Sequence, residues 1–139
     1  MRGRAYLVAI IAGCLGACGS NPAGPGSVEG TYRLAELNGQ SLPYDHVPGC
    51  CIYTGGSLVL HSERYEASIT FQNKNNQGVF TVGEQGSYSL GRTSIEFRPA
   101  NADYPLSLYD AHLEDSSIRL FLGGDGPGAA DQFRAFFQR

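Results

Sequence analysis

The stretch RYEASITF, residues 64–71, decides the fold because its side chains alternate between polar and apolar types. Successive side chains of a strand point to opposite faces, so Tyr65, Ala67, Ile69 and Phe71 share one face. This period of two is typical of a half-buried β-strand with one face on the core. The polar pair at 62–63 predicts a hairpin turn to the preceding apolar segment, SLVLH (57–61).

Further short segments of this kind lie on both sides of the hairpin, separated by turn-forming residues. Seven or eight antiparallel strands with hairpin-length connections fit either a closed up-and-down barrel or a sandwich. We expect the barrel, because the aromatic last segment can pair with the first and so remove both sheet edges. The predicted fold is all-β, an up-and-down barrel of about eight strands, with segments at 28–37, 57–61, 64–71, 79–90, 93–97, 106–113, 118–122 and 132–137.

Residues 1–27 predict a lipid anchor rather than part of the barrel. Arg2 and Arg4 precede an apolar run of about 12 residues, which suits a secretory signal and is too short to span a bilayer. The run ends in LGAC (15–18), a lipobox. Residues 1–17 are therefore predicted to be a lipoprotein signal peptide, Cys18 to be the lipidated residue, and residues 18–27 to be a flexible glycine-, proline- and serine-containing spacer.

Two alternatives stay open for this leader. Cleavage before Cys14 leaves a shorter apolar run, and an ordinary signal peptide that ends at Ala17 carries no lipid. The lipobox also implies a location. Because Gly19 rather than Asp follows Cys18, the familiar sorting rule of diderm bacteria implies the outer membrane, with the domain outside the cytoplasm.

The remaining residues, 28–139, are predicted to form one domain of about 112 residues, which is large enough to bury a core. Without Arg2 and Arg4, eight basic residues stand against 13 acidic ones, so this part of the chain has a charge near −5. Its basic residues are scattered rather than clustered. This distribution argues against nucleic acid as a partner and against a polybasic membrane patch.

Several short motifs resemble the small bacterial lipocalin-like (calycin-type) lipoproteins. They are GTYRL (30–34), LNGQSLP (37–43), GSLVL (56–60), GSY (86–88), IEF (95–97) and FR (133–134). In lipocalins, a Gly-x-Trp in the first strand packs under an arginine from near the C-terminus. The resemblance implies that Tyr32 takes the aromatic place and Arg134 the arginine's structural place, with Arg139 as the second candidate.

The resemblance also implies a barrel that binds a small apolar molecule. The candidates for its interior and ligand contacts are inward-facing aromatic and aliphatic residues: Tyr32, Tyr65, Ile69, Phe71, Tyr88 and Phe97. The same side chains can instead fill an eight-stranded barrel completely. The alternative function is then that of an interaction protein whose loops, residues 42–53 above all, bind another envelope protein, as lysozyme inhibitors do.

The adjacent Cys50 and Cys51 are a candidate disulfide. A trans peptide holds neighbouring Cα atoms about 3.8 Å apart, below the roughly 4.4–6.8 Å usual for disulfides, so such a bridge is strained. Two reduced thiols, pairing with other chains and a redox role stay open as alternatives. Adjacent cysteines without a CxxC spacing are weak indicators of catalysis or metal binding.

No catalytic residue, metal site or cofactor is predicted, and we expect a protein that is not an enzyme. His112 and Glu114 share a strand face, but no second histidine stands at ligand spacing. Asp45 and His46 lie in a proline-rich crossing, and no serine has the context of a nucleophile elbow. The expected partners are a membrane through the anchor, a small hydrophobic ligand and an envelope protein.

Overall fold

The computed structural model describes residues 27–47, 49–101, 106–123 and 132–139. The predicted signal peptide, Cys18 and almost all of the spacer lie outside these residues. Within them no helix is long and apolar enough to cross a membrane. The strands are β1 (Gly30–Leu37), β2 (Gln40–Ser41), β3 (Tyr44–Asp45), β4 (Cys51–His61), β5 (Arg64–Asn73), β6 (Val79–Leu90), β7 (Ser94–Pro99), β8 (Tyr109–Glu114), β9 (Ser117–Leu122) and β10 (Phe133–Gln138).

Eight of these strands form a closed antiparallel up-and-down barrel, which confirms the predicted fold class. From β4 to β10 each strand pairs with the next along the chain, and β1 pairs with both β10 and β4. The first and last strands thus leave no edge between them, as the aromatic last segment indicated. This architecture is compatible with a lipocalin-like fold.

The proline-rich crossing contributes only the two-residue strands β2 and β3, which pair with β1 and β4 at one end of the barrel. The hairpin turn predicted at residues 62–63 forms as expected. Ser62 and Glu63 both have positive φ angles, 48° and 61°, which is the geometry of a type I′ turn. Asn38 and Gly39 also have positive φ angles, at 52° and 77°, and turn the chain from β1 into β2.

The inward faces of the strands fill one half of the barrel, at the end where β1 begins. The residues of 64–71 alternate as predicted, with Tyr65, Ala67 and Ile69 at most 5% exposed. Opposite Tyr65, on β6, stands Gly86, and the tyrosine ring lies in the space that a side chain there would need. The largest fully buried side chains of the barrel are Tyr32, Tyr65, Phe137, Leu37, Leu58, Leu60, Ile118 and Leu120.

The arginine over Tyr32 is Arg139, so the assignment of Arg134 to this place is wrong. The Arg139 guanidinium carbon lies 5.7 Å from the Tyr32 ring centroid, and its nitrogens donate to the carbonyl oxygens of Ser27, at 3.3 Å, and of Glu29. Arg134 is exposed and lies 5.9 Å from the Phe121 ring instead. The reason is strand parity: Arg134 points outward, because its neighbours Phe133 and Ala135 face the interior.

Candidate functional site

Among the residues that the structure describes, the end of the barrel opposite Arg139 is open, and we call it the mouth. A recess of about 170 Å³ lies there. Its wall is almost wholly apolar and consists of Leu37, Tyr53, Ile69, Phe71, Val82, Leu106, Leu122, Gly123 and Phe133. These residues belong to seven separate segments of the chain, and the barrel closure brings them together.

The strand periodicity explains why these side chains meet. Ile69 on β5 and Val82 on β6 are direct cross-strand partners, and both side chains point inward. The next inward pair, Ala67 and Glu84, lies two positions farther from the mouth. Ile69 is 3% exposed and lies deep in the recess, whereas Val82 is 43% exposed and lies at its rim. The recess therefore runs from a buried aliphatic floor to a wall open to solvent.

Aromatic rings form an arc along one side of the mouth. Phe133 is at its centre, 5.1 Å from the rings of both Tyr53 and His46 and 6.3 Å from that of Tyr44. The arc continues from Tyr53 through Phe71, at 5.9 Å, to the stacked ring of Phe80 at 5.8 Å. Phe80 is 45% exposed. A planar apolar molecule can therefore lie on rings as well as enter the recess.

Residues 42–47 and 49–50, which we call the mouth loop, include Tyr44 and His46. Lys74 fixes this loop, because its ammonium group pairs with Asp45 and donates to the His46 carbonyl oxygen at 3.2 Å. The Lys74 backbone N–H donates to the carbonyl oxygen of Cys50 at 2.8 Å. Cys50 and Cys51 are joined by a disulfide, in which Cys50 is exposed and Cys51 is 4% exposed.

A buried carboxylate connects two segments of the chain beside the recess, where β6 and β7 do not pair. We call this place the seam. Strand β7 pairs with β6 only from Gly86 onward, so within the described chain Val79–Gly83 pair with β5 alone. Glu84, 8% exposed, accepts a hydrogen bond from the Tyr65 hydroxyl at 2.5 Å and a longer one, at 3.4 Å, from the Ser107 N–H. Its carboxylate thereby joins the β5–β6 hairpin to the segment that carries Leu106, a wall residue.

The environment of this pair perturbs the Tyr65 hydroxyl strongly. Burial raises the pKa of Tyr65 far above its ordinary value, and the hydrogen bond to Glu84 and the negative charge of that carboxylate raise it further. Deprotonation would place a second negative charge beside Glu84 in a largely dry environment. Tyr65 is therefore a permanent hydrogen-bond donor to Glu84 at neutral pH.

The structure divides the six predicted interior residues between the two halves of the barrel. Ile69 and Phe71 line the recess. Tyr32, Tyr65, Tyr88 and Phe97 belong to the packed half, where the rings of Tyr65 and Phe97 meet edge to face at 4.8 Å. Five other wall residues were not predicted from the sequence: Leu37, Tyr53, Val82, Leu106 and Leu122. Each has an apolar side chain near a strand terminus, but the cross-strand register needed to group them is not legible in one sequence.

The polar pairs noted in the sequence have other partners here. His112 contacts Asp110 at 3.2 Å, while Glu114 accepts a hydrogen bond from Arg119 at 2.7 Å. Among the residues that the structure describes, no three His, Cys, Asp or Glu side chains are grouped so that they could hold a metal ion.

Comparison of the chain with known protein families, with curated proteins and with solved structures finds no match. The barrel and the chemistry of its mouth are therefore the observations from which a function is inferred.

Proposed function

We propose that the protein binds the apolar end of a small hydrophobic ligand in the mouth of its barrel. The observation that carries this proposal is the apolar recess of about 170 Å³, open to solvent and flanked by aromatic rings. A cavity of about 150 Å³ accommodates a benzene-sized group. The recess thus suits one ring or the end of a short chain, and the rest of a larger ligand lies on the rim.

The expected affinity follows from the area that such a ligand buries. A single ring buries roughly 150–200 Å², worth about 4–5 kcal/mol before ordering costs. Alone, this corresponds to a Kd of about 1 mM. A ligand that also covers Phe71 and Phe80 on the rim gains further area, so we expect a Kd of roughly 10–100 μM for a two-ring probe.

We propose further that the domain is a lipoprotein of the bacterial cell envelope, anchored through Cys18 and located at the outer membrane. The lipobox supports the anchor. Val28 is buried at the end of the barrel opposite the mouth, and its carbonyl accepts a hydrogen bond from the Tyr32 hydroxyl at 2.7 Å. The described part of the chain therefore enters the barrel at the packed end, opposite the mouth. Replacing Cys18→Ser should move the protein from the membrane fraction to the soluble one; retention in membranes contradicts the anchor.

Ligand binding is tested with N-phenyl-1-naphthylamine, whose fluorescence rises in apolar surroundings. Val82→Trp places a large ring at the half-exposed rim, where it covers the recess without overpacking the core. Leu90→Trp is the matched control, because Leu90 has the same inward parity on β6, is 52% exposed and lies at the opposite end of the barrel.

We expect Val82→Trp to weaken probe binding at least tenfold and Leu90→Trp to change it less than twofold, a contrast that only binding at the mouth produces. Thermal melts of both variants establish that the fold is intact. Equal effects of the two substitutions, or no saturable binding by the wild type, contradict the proposal.

A second function, binding of an envelope protein, is favoured by one observation. Within the described residues, Val79–Gly83 form a strand edge that pairs with β5 alone, and this stretch includes three exposed large apolar side chains: Val79 at 67%, Phe80 at 45% and Val82 at 43%. Such an edge can accept a partner strand.

A photocrosslinking residue at position 79, compared in cells with one at position 90, tests this function. A protein adduct specific to position 79 supports it, and adducts at neither position contradict it.

A further inference from the structure

We propose that the Cys50–Cys51 disulfide is a thiol-exchange site that takes a dithiol as its substrate and controls how firmly the mouth loop is held. The proposal rests on three observations: the unequal exposure of the two cysteines, their place at the base of the loop, and the contact of the loop with a wall of the recess. The chemical step is independent of ligand binding. Only its effect on affinity rests on the proposed function.

The two cysteines differ in their access to an attacking thiolate. Cys50 is exposed, whereas Cys51 begins β4 and is 4% exposed. Thiol exchange depends on access to the attacked sulfur. An incoming dithiol therefore attacks the Cys50 sulfur, and the buried Cys51 sulfur is the leaving group.

The exchange balances without another reactant. One thiolate of the dithiol bonds to the Cys50 sulfur while the Cys50–Cys51 bond breaks, and the Cys51 thiolate takes a proton. The second thiol of the reductant, as its thiolate, displaces Cys50, which also takes a proton. The protein ends with two thiols, and the reductant ends as a disulfide after losing two electrons and two protons.

Two of the backbone hydrogen bonds that hold the mouth loop have a cysteine carbonyl oxygen as acceptor. The Cys51 carbonyl oxygen accepts the His46 N–H at 3.2 Å, and the Cys50 carbonyl oxygen accepts the Lys74 N–H at 2.8 Å. A bridge between neighbours closes a small ring that includes the peptide joining them. The Cys50 carbonyl carbon is a member of this ring, whereas the Cys51 carbonyl is attached to the ring at the Cys51 Cα. Opening the ring releases ψ of Cys50 and φ of Cys51, the dihedrals that orient the first acceptor and place the second.

Loosening these bonds reaches the recess through Phe133. His46 and Tyr44 pack edge-on against the Phe133 ring, at 5.1 and 6.3 Å, and Phe133 is part of the recess wall. With the disulfide closed, the loop supports this wall. With the disulfide open, the wall loses one or two aromatic contacts, so reduction weakens ligand binding.

The test follows amide hydrogen exchange in the full-length protein before and after treatment with dithiothreitol. We expect the amides of His46 and Lys74 to exchange at least tenfold faster after reduction. The amides of Asn73 and Gln77 are internal controls, because their acceptors, Gly78 and Asn73, lie within the neighbouring turn. Alkylation and peptide mass analysis show whether Cys50 and Cys51 have been reduced.

The double variant Cys50→Ser, Cys51→Ser is the matched control for the reagent. It should exchange at the fast rate with or without dithiothreitol. Affinity for N-phenyl-1-naphthylamine should fall about two- to tenfold on reduction, the loss expected for one aromatic contact.

Two results overturn the proposal: a native disulfide that dithiothreitol does not reduce, and a reduced protein whose His46 and Lys74 amides exchange at unchanged rates. If the amide rates rise but no probe binds to either form, the exchange site stands and the ligand-binding function fails.

Discussion

At the residue scale, Glu84 and Tyr65 show how one polar pair can hold an apolar barrel together. The carboxylate is buried, and its bonds to the Tyr65 hydroxyl and the Ser107 N–H take the place of the backbone ladder that β7 does not provide. A buried acid without such donors would be costly. The pair therefore stabilises the seam beside the recess.

We expect this pair to make the protein labile in alkaline solution. The folded-state pKa of Tyr65 is raised above 10.0, its ordinary value, so the folded protein retains a proton that the unfolded chain loses. This contribution to stability is complete below pH 10 and is lost as the pH rises above it. Over this pH range the free energy of unfolding falls by about 1.4 kcal/mol per pH unit for one such group.

Urea unfolding between pH 9 and 11.5 measures this loss. The control is Tyr65→Phe, which should be less stable than the wild type at pH 8. Its free energy of unfolding should fall with pH less steeply than that of the wild type, and the two slopes should differ by about 1.4 kcal/mol per pH unit. Parallel slopes for the two proteins would mean that Tyr65 titrates alike in the folded and unfolded states, which contradicts a buried hydroxyl bonded to Glu84.

The two C-terminal arginines give a second test at this scale. Arg139→Ala removes a cation–π contact to Tyr32 and two hydrogen bonds to backbone carbonyls, and should cost about 1–2 kcal/mol. Arg134→Ala removes only an exposed contact to Phe121 and should cost less than about 0.5 kcal/mol. Thermal or urea unfolding measures both. An equal or larger loss for Arg134→Ala would contradict the assignment of Arg139 to the packed end.

The arginine also shows what sequence alone leaves open. A Gly-x-Tyr opening predicted an arginine partner, but two candidates near the C-terminus differ only in strand parity. Gly30 shows what the opening requires: its φ is 150°, and the Arg139 guanidinium lies where a side chain would stand. The motif was legible, whereas its partner required the register of β10 against β1.

At the scale of elements, the hairpin β5–β6 contains the clearest match of large and small residues. Tyr65 lies opposite Gly86, where a Cβ atom would stand 2.1 Å from the Arg98 carbonyl oxygen and 2.7 Å from the Tyr65 ring. The backbone oxygen cannot move without disturbing the β6–β7 ladder. The glycine therefore serves close packing.

Gly86→Ala should destabilise the protein by about 1–3 kcal/mol, as overpacking of a well-filled core does. The control is Gly83→Ala, three residues earlier on β6, where the nearest atom to a Cβ is 3.4 Å away. That substitution should change stability by less than about 0.5 kcal/mol. Chemical denaturation of the pair measures the difference. A tolerated Gly86→Ala would show that Tyr65 does not pack against β6 as described.

The strands with strict alternation were predictable, and those with irregular pairing were not. Residues 64–71 and the turn at 62–63 follow from polarity and turn chemistry alone. In contrast, β4 runs on through Gly55 and Gly56 with a bulge, and β8 pairs with β9 across another. A bulge changes which residues face inward without a fixed sequence signal. For this reason Tyr53, which borders the bulge of β4, was not assigned to the site. Leu106 was not assigned because it precedes β8 and so belongs to no strand pattern.

At the scale of the whole molecule, the barrel is neither filled nor hollow. From the sequence, a filled and a hollow barrel are both possible, because aromatic side chains suit either one equally well. Tyr32, Tyr65, Phe97 and Phe137 fill the end near Arg139, while the other end keeps the recess. Chain closure decides this distribution, since residues from both ends of the sequence contribute to each half.

The measurement that tests this division most directly is methyl NMR of protein labelled at the isoleucine δ1 carbons, titrated with 1-hexanol. Ile69 reports on the recess, while Ile95 and Ile118, at most 3% exposed, report on the packed half. We predict a saturable shift at Ile69 and none at Ile95 or Ile118. An unmoved Ile69, or equal shifts at all three positions, would contradict a half-filled barrel that binds at its mouth.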